Sequence, residues 1–342
     1  MNLQKEPLVS VLTPVYNGEA FLAQCIESVL SQTYENFEYL IVNNRSTDRT
    51  LEIAQEYAKK DKRIRVCTNG EFVDVISNHN IAFGLISQSS KYCKVVSADD
   101  YISPNCITQL VQCAEANPSV GIVGCYQLSG SYIRWQGFQY PKTVFTGQEI
   151  CRRIFLEGDP EFGFGSPTSL MYRADLVRDN KAFYPNPSPH SDTSACFRDL
   201  QRSDFGFVYE VLSYETTHAE TQSTRSADLN RYSSAYLNDL IQYGRAYLNE
   251  GEFTQKLTAN LDAYREFLGI NYVVRSRGKE FWKYHKDRLE ELGFPLKRST
   301  LMWAALRRAF RELMNPVDAI GKAWKRFAPV YSPRTNSERI IA

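Results

Sequence analysis

Along residues 8 to 124 the apolar positions follow two alternating rhythms. Short runs of mostly apolar residues, LVSVLTP (8–14), FEYLIV (37–42), IRVCT (64–68), YCKVVS (92–97) and VGIVGC (120–125), read as strands. Between them the apolar residues recur at helical spacing. Phe21, Leu22, Cys25, Ile26, Val29 and Leu30 make one helix face, LEIAQEYAKK (51–60) continues a helix that Ser46 or Thr47 opens as N-cap, and DVISNHNIAFGLIS (74–87) reads as a third. Ser103-Pro104 is a helix start, with Ile107, Leu110, Val111 and Ala114 on the face that follows. Strands alternating with helices predict an α/β fold of βα units around a mostly parallel sheet.

From residue 126 to about 225 the rhythm breaks into short aromatic segments punctuated by Gly and Pro, such as GSYIRWQGFQYP (130–141) and FGFGSPTS (162–169). A stretch of that kind after a βα half supplies the second half of a site on loops. From 226 onward the pattern is helical. The expected organisation is therefore a domain over 1–225, with halves 1–125 and 126–225, and a helical region over 226–342.

The end of the chain holds two amphipathic pieces. In STLMWAALRRAFRELM (299–314), Met302, Leu306, Ala309, Phe310 and Leu313 share a side while Arg307, Arg308 and Arg311 cluster elsewhere. In VDAIGKAWKRFA (317–328), Val317, Ile320, Trp324 and Phe327 keep the rhythm beside Lys322, Lys325 and Arg326. Two readings stand open: helices docked on the main domain with a solvated basic face, or an interfacial membrane anchor.

Charge sharpens that choice. The 342 residues carry 40 Lys and Arg against 39 Asp and Glu, a net of +1 that does not suit a nucleic-acid binder. From Lys297 to the end, however, ten basic residues face three acidic ones, so 297–342 is a basic unit for which an anionic membrane surface is a candidate partner. Eight scattered cysteines without CxxC spacing suit a reducing compartment, and neither a signal peptide nor an uninterrupted apolar run of about 18 residues is present. The expectation is a cytoplasmic protein, peripheral at the inner face of the cell membrane.

Ligands of open α/β sheets bind beyond the carboxyl ends of the strands. Thr13 to Gly18, Asn43 to Thr47, Thr68 to Gly70 and Asp99-Asp100 all fall at such ends. Two adjacent carboxylates in a crevice raise each other's pKa unless a cation neutralises them, which points to a hard divalent ion; an acidic N-cap pair for the following helix is the other reading.

Taken together, VSVLTPVYNGEAFLAQCIESVLSQTYENFEYLIV (9–42), NNRSTDRTLEIA (43–54), VSADDYISP (96–104), GSPTSLMYR (165–173), HSDTSACF (190–197) and YETTH (214–218) resemble the family 2 glycosyltransferases. The resemblance runs from about Pro7 to His218. It implies the GT-A fold, a nucleotide-sugar donor with a UDP-sugar as the default, and a glycan or lipid-linked acceptor in polysaccharide biosynthesis. Thr13, Pro14, Tyr16 and Asn17 would lie at the base and ribose, Asn43 and Asn44 would read the base edge, and Asp99 would take the ribose side. Asp100 would bind Mg2+ or Mn2+, with His218 near the metal. Asp192 falls on the family's catalytic base, which implies inversion at the anomeric carbon, and His190 would touch the acceptor or tune that base. His79 falls where the family has a basic residue near the donor. Trp135, Phe138 and Tyr140 offer flat faces for an acceptor sugar.

Three positions depart from the pattern. Asn43, Asn44 and Arg45 replace acids before the turn, Ser97 replaces a further acid ahead of the pair, and SQSSKY (87–92) replaces a tighter turn. Asparagine keeps a carbonyl acceptor but adds a donor, which widens the base identity, while Ser97 leaves the metal more dependent on the donor's phosphates. The same departures motivate an alternative, a non-catalytic nucleotide-sugar binding or scaffold protein.

Overall fold

The computed structural model describes residues 6–157, 162–185, 188, 190–216 and 229–314. The chain order begins β1 (Val9–Val15), α1 (Leu22–Leu30), β2 (Phe37–Asn43), α2 (Thr50–Lys60), β3 (Ile64–Thr68) and α3 (Val75–Gly84). It continues through β4 (Tyr92–Val95), a two-residue β5 (Tyr101–Ile102), α4 (Cys106–Ala116), β6 (Val120–Ser129), β7 (Tyr132–Arg134), β8 (Val144–Phe145) and α5 (Gly147–Glu157). A 3-10 turn at Pro167–Ser169 leads into β9 (Leu170–Arg173), α6 (Ala174–Arg178), α7 (Ser191–Asp199) and β10 (Asp204–Glu215). The described helices beyond are α8 (Arg231–Tyr247), α9 (Glu250–Val273), α10 (Lys279–Glu291) and α11 (Arg298–Met314).

The strands form one sheet in the order β3-β2-β1-β4-β9-β6-β10-β5, with β7 on β6 and β8 on β10. β3, β2, β1 and β4 are mutually parallel, β9 runs against both β4 and β6, and β10 is parallel to β6. An antiparallel strand begins where its neighbours end. The reversal of β9 therefore brings the Pro167–Ser169 turn to the edge at which β4 and β6 finish, and that edge carries the site.

β1 is buried at every position, as a central parallel strand covered on both faces must be. Its Val9, Val11 and Val15 belong to one core cluster with Leu22, Cys25, Ile26 and Val29 of α1 and Ile107, Leu110 and Val111 of α4. These are the periodic positions the sequence singles out.

Helix starts differ from the sequence pattern for local reasons. Ser46 is used otherwise, its hydroxyl accepting the Asn17 N–H, and α2 begins at Thr50, where Asp48 accepts the Thr50 N–H and hydroxyl. α3 is capped as a helix of its kind should be, Asp74 accepting from the Ile76 and Ser77 N–H groups. Ser103-Pro104 follows β5 directly and forms a turn ahead of α4, the Cys106 N–H donating to the Ser103 carbonyl, and Gln32 Oε1 takes the Ile107 N–H in place of a local cap. Phe138 is core rather than an exposed face: it is 4% exposed, with its ring stacked 4.1 Å from Phe207.

By compactness the chain divides into residues 1–256 and 257–342, the boundary falling within α9. In the second unit Gly269 lets α11 lie close on α9, since a Cβ there would stand 2.5 Å from the Leu301 carbonyl. Leu301 and Ala304 are the buried side of α11, and Arg307 and Arg311 pair with Asp262 and Glu266. The apolar set Met302, Trp303, Leu306, Phe310, Leu313 and Met314 faces outward, Trp303 at 71% and Leu313 at 78% exposure. His285 is fully buried in this unit, its Nδ1 against the Tyr264 hydroxyl. The second amphipathic piece, 317–328, lies outside the described residues. No described helix is long and apolar enough to cross a membrane.

Candidate active site

At the carboxyl edge of the sheet a cleft of about 600 Å³ collects residues from several segments distant in sequence. Ser97, Asp99 and Asp100 come from the end of β4, and Gln127, Arg134 and Trp135 from the β6–β7 hairpin. Ser166 and Pro167 come from the turn before β9, His190 to Thr193 from the start of α7, and Glu215 with Thr216 from the end of β10. Carboxylates distant in sequence thus share one solvent space.

Asp100 is the buried member of its pair, 7% exposed, while Asp99 is half-buried. The Thr168 hydroxyl donates to Asp100 Oδ2 at 2.6 Å and the Thr216 N–H to Oδ1 at 3.2 Å. Burial, with the neighbouring Asp99 charge adding to it, pushes the Asp100 carboxyl up to about 7, and the two hydrogen bonds only partly oppose this. The turn that presents Thr168 is itself tied down from below. Lys94, fully buried in β4, donates from Nζ to the Thr168 carbonyl at 2.6 Å. The Ser97 N–H also donates to the Thr168 hydroxyl oxygen, at 3.1 Å.

Asp192 lies in the first turn of α7, accepting the Thr193 N–H at 2.8 Å. Burial raises its pKa, whereas that N–H and the charge of His190 lower it. Behind them is Asp239 of α8, fully buried, with Oδ1 accepting the Ser194 hydroxyl at 2.5 Å and Oδ2 3.6 Å from His190 Nδ1. Burial raises the Asp239 carboxyl as well, with His190 opposing. The pattern of α8 gives no hint of this acid; it becomes visible only when α7 and α8 pack.

Apart from Asp99, the residues assigned to base and ribose do not line the cleft. Thr13 is fully buried, and its hydroxyl donates to the Val96 carbonyl at 2.8 Å, so its side chain ties β1 to the β4 end. Pro14 is equally part of buried β1. Tyr16 is 47% exposed and meets the exposed Phe72 ring edge-on at 4.8 Å. Asn17 takes a positive φ of 49°, its Oδ1 accepting the Thr47 N–H. Asn43 is spent on the turn, with Oδ1 accepting the Ser46 N–H. Asn44 Oδ1 accepts from Asn69 Nδ2 and the Val73 N–H while its own Nδ2 donates to the Val73 carbonyl. Both asparagines are buried. Tyr140 is exposed and packs on Tyr209 away from the cleft, and His218 lies outside the described residues. His79 lines the cleft, its Nδ1 hydrogen-bonded to the Val75 carbonyl. Gln127, Thr168 and Asp239 are the site residues that sequence reasoning missed.

Residues 10–180 match the family model described as Glycosyl transferase family 2. An uncharacterized glycosyltransferase of Haemophilus influenzae is 30% identical over 287 residues, which cover 82% of this chain and 99% of that one. The uncharacterized glycosyltransferase EpsJ of Bacillus subtilis is 41% identical over 206 residues, 57% of this chain and 58% of EpsJ. Among solved structures, TarS 1–349 of S. aureus in complex with UDP-GlcNAc superposes with a TM-score of 0.60 at 19% identity, covering 83% of this chain and 80% of that one. The mannosyltransferase PcManGT of Pyrobaculum calidifontis, in complex with GDP-Man and Mn2+, gives 0.55 at 14% identity over 90% and 89% of the two chains.

The raised Asp100 carboxyl makes a signed prediction. Unfolded, it ionises near the ordinary value of about 4; folded, near 7. Between those values only the folded state keeps the proton, so its stabilising share is complete below about pH 4 and is lost as pH rises through 7. Without added metal, the melting temperature of the wild type relative to Asp100→Asn should therefore fall from about pH 5 to about pH 8. Parallel melting profiles for the two proteins would mean that Asp100 ionises normally.

Proposed function

The chain belongs to glycosyl transferase family 2 and has the GT-A fold, and on that premise we propose an inverting, metal-assisted transfer of a sugar from a nucleotide diphosphate donor to a hydroxyl of a glycan or lipid-linked acceptor. The observation that carries it is the single cleft shared by Asp192 and the Asp99–Asp100 pair. A base on one wall and a site for the leaving group on another are what in-line displacement requires.

Asp192 takes the acceptor hydroxyl's proton on its carboxylate. The freed oxygen bonds to the anomeric carbon as the bond from that carbon to the diphosphate oxygen breaks, and the electron pair leaves on the diphosphate. A carboxylate whose pKa is raised by burial is a stronger base than one in water, and the charge of His190 opposes that rise. His190 is braced in turn by Asp239.

Asp99 and Asp100 suit a hard divalent cation, because burial first and the adjacent Asp99 charge second raise the Asp100 carboxyl, and a bound cation would favour its ionised form. Among the described residues no group of three or more acidic, His or Cys side chains is placed to hold a metal ion; Asp99 and Asp100 would hold it, with phosphate and water, and His218 lies outside the described residues. Bound Mg2+ or Mn2+ would neutralise the departing diphosphate as a Lewis acid. Tyr16 offers an exposed ring on which a base can stack. The solved relatives hold UDP-GlcNAc in one case and GDP-Man in the other, so a UDP-sugar is the first donor to test and a GDP-sugar the second.

The test is a panel of UDP- and GDP-sugars with Mn2+, read by melting temperature and by transfer. A donor at about a hundred times its Kd stabilises by about 2.7 kcal/mol. Asp192→Asn should keep that shift while transfer falls by about 100-fold or more, the usual contribution of a general base. Turnover within a few fold of wild type would remove Asp192 from that role.

We also propose that α11 attaches the enzyme to the cytoplasmic face of the membrane. Its outward set includes Trp303 and Phe310, and the 297–342 segment around it is strongly basic. In sedimentation with anionic liposomes, replacing Trp303 and Phe310 by Ser should weaken binding about tenfold or more, given about 1.5–3 kcal/mol for each large apolar side chain. Equal binding by the variant would assign that face to a protein partner or to the rest of the chain.

A further inference from the structure

Gln127 has no role in the reaction described so far, yet it is the least explained residue of the cleft. It lies on β6 opposite Arg134 of β7 and Ser213 of β10, is fully buried, and forms part of the cleft wall. Among the described residues nothing hydrogen-bonds to its Nε2 or its Oε1. An amide buried without partners costs roughly 1–3 kcal/mol, and native proteins hold few of them. A leucine would fill the same volume without that cost, so packing does not account for the amide.

A second group beside it shares the condition. The indole Nε1 of Trp135, also at the cleft, is buried with no partner among the described residues. Trp135 sits at a φ of 71°, a left-handed conformation that a bulky residue adopts only when its surroundings enforce it. Gly163 leaves room for its ring, since a Cβ there would come within 2.8 Å of the indole. The Arg134 guanidinium lies over the indole, 5.3 Å from its centre, and pairs with Glu215 at 3.1 Å.

The wall thus offers two donor nitrogens, Gln127 Nε2 and Trp135 Nε1, and one carbonyl acceptor, with the adjacent charges already neutralising each other. A phosphate would leave Gln127 Oε1 without a donor, and an acyl chain would satisfy none of the three. Adjacent ring hydroxyls satisfy all of them: one donates to Oε1, its neighbour accepts from Nε2, and a further oxygen accepts the indole N–H. We infer that Gln127 and Trp135 form a pyranose-binding subsite, recognising vicinal hydroxyls of either the donor's sugar or the acceptor's. The inference rests on the glycosyl-transfer reading of the cleft and adds the ligand chemistry of one wall.

The variants are Gln127→Leu and Trp135→Phe, and the probes are UDP, UDP-glucose, GDP and GDP-mannose with Mn2+, and methyl glucoside and methyl mannoside. Gln127→Leu should melt no lower than wild type without ligand, because its amide has no protein partner to lose. If the subsite holds the donor's sugar, the variants keep the melting shift with UDP or GDP and lose the extra shift that the sugar nucleotide adds. If it holds the acceptor, both shifts survive while saturation-transfer NMR shows the methyl glycosides binding at least about tenfold more weakly. Unchanged binding of sugar nucleotides and glycosides alike overturns the subsite. Should no nucleotide shift even the wild type, the transfer reading fails, and the methyl glycosides alone still decide whether Gln127 and Trp135 bind a pyranose.

Discussion

A carboxylate held out of water at the end of a central strand organises this site. Asp100 stays where it is because Thr168 and the Thr216 backbone donate to it, and those two donors belong to opposite sides of the sheet's second half. Thr168 is in position only because β9 is reversed between β4 and β6, and because Lys94 anchors its carbonyl from inside β4. A lysine with no exposure is costly unless its ammonium is hydrogen-bonded. Here it is bonded to the one turn that must not move. The cleft's polarity therefore begins in the core, one residue before the strand ends.

The opposite wall follows the same logic with different parts. The first turn of α7 favours a negative charge through its exposed N–H groups, while burial disfavours it, and Asp192 sits between these two influences. Asp239 adds a second buried acid behind it. Two carboxylates that both prefer protonation when buried are kept useful by the imidazole between them, since His190 lowers both. Helix α8 thereby reaches the site through Asp239 without facing the cleft with any acid of its own, which makes it part of the same compact unit as α7.

Much of this was legible in the chain. The parallel half was, because strands covered on both faces leave continuous apolar runs, and β1, β2 and β3 stand within a residue of where those runs put them. The acids were legible as candidates, since Asp99, Asp100 and Asp192 fall at strand or helix ends, where an N-cap role and a ligand role leave the same pattern. What escaped was set by contacts distant in sequence. α2 starts late because Asp48 outcompetes Ser46 and Thr47, whose side chains turn to Asn17 instead. Phe138 belongs to an aromatic cluster with Phe205 and Phe207 on β10, which no local pattern announces. Gln127 reads as one polar residue in an apolar strand, and its meaning depends on what fails to reach it.

The serine at 97 now has a physical consequence of its own. Thr168 has a single hydroxyl hydrogen, and the choice lies between Asp100 at 2.6 Å and the Ser97 hydroxyl at 3.2 Å. The shorter contact to a carboxylate wins, because charged acceptors form the stronger bond. An acid at 97 would compete for that hydrogen and would add a third negative charge beside a carboxyl already pushed up to about 7. With serine there, the hydrogen is committed to Asp100, and both of its oxygens are oriented before any cation arrives. The cost is a shortage of oxygen ligands. On the proposed metal-assisted transfer, half-buried Asp99 would be the more exposed carboxylate for an ion, whose remaining ligands would come from the phosphates of the donor.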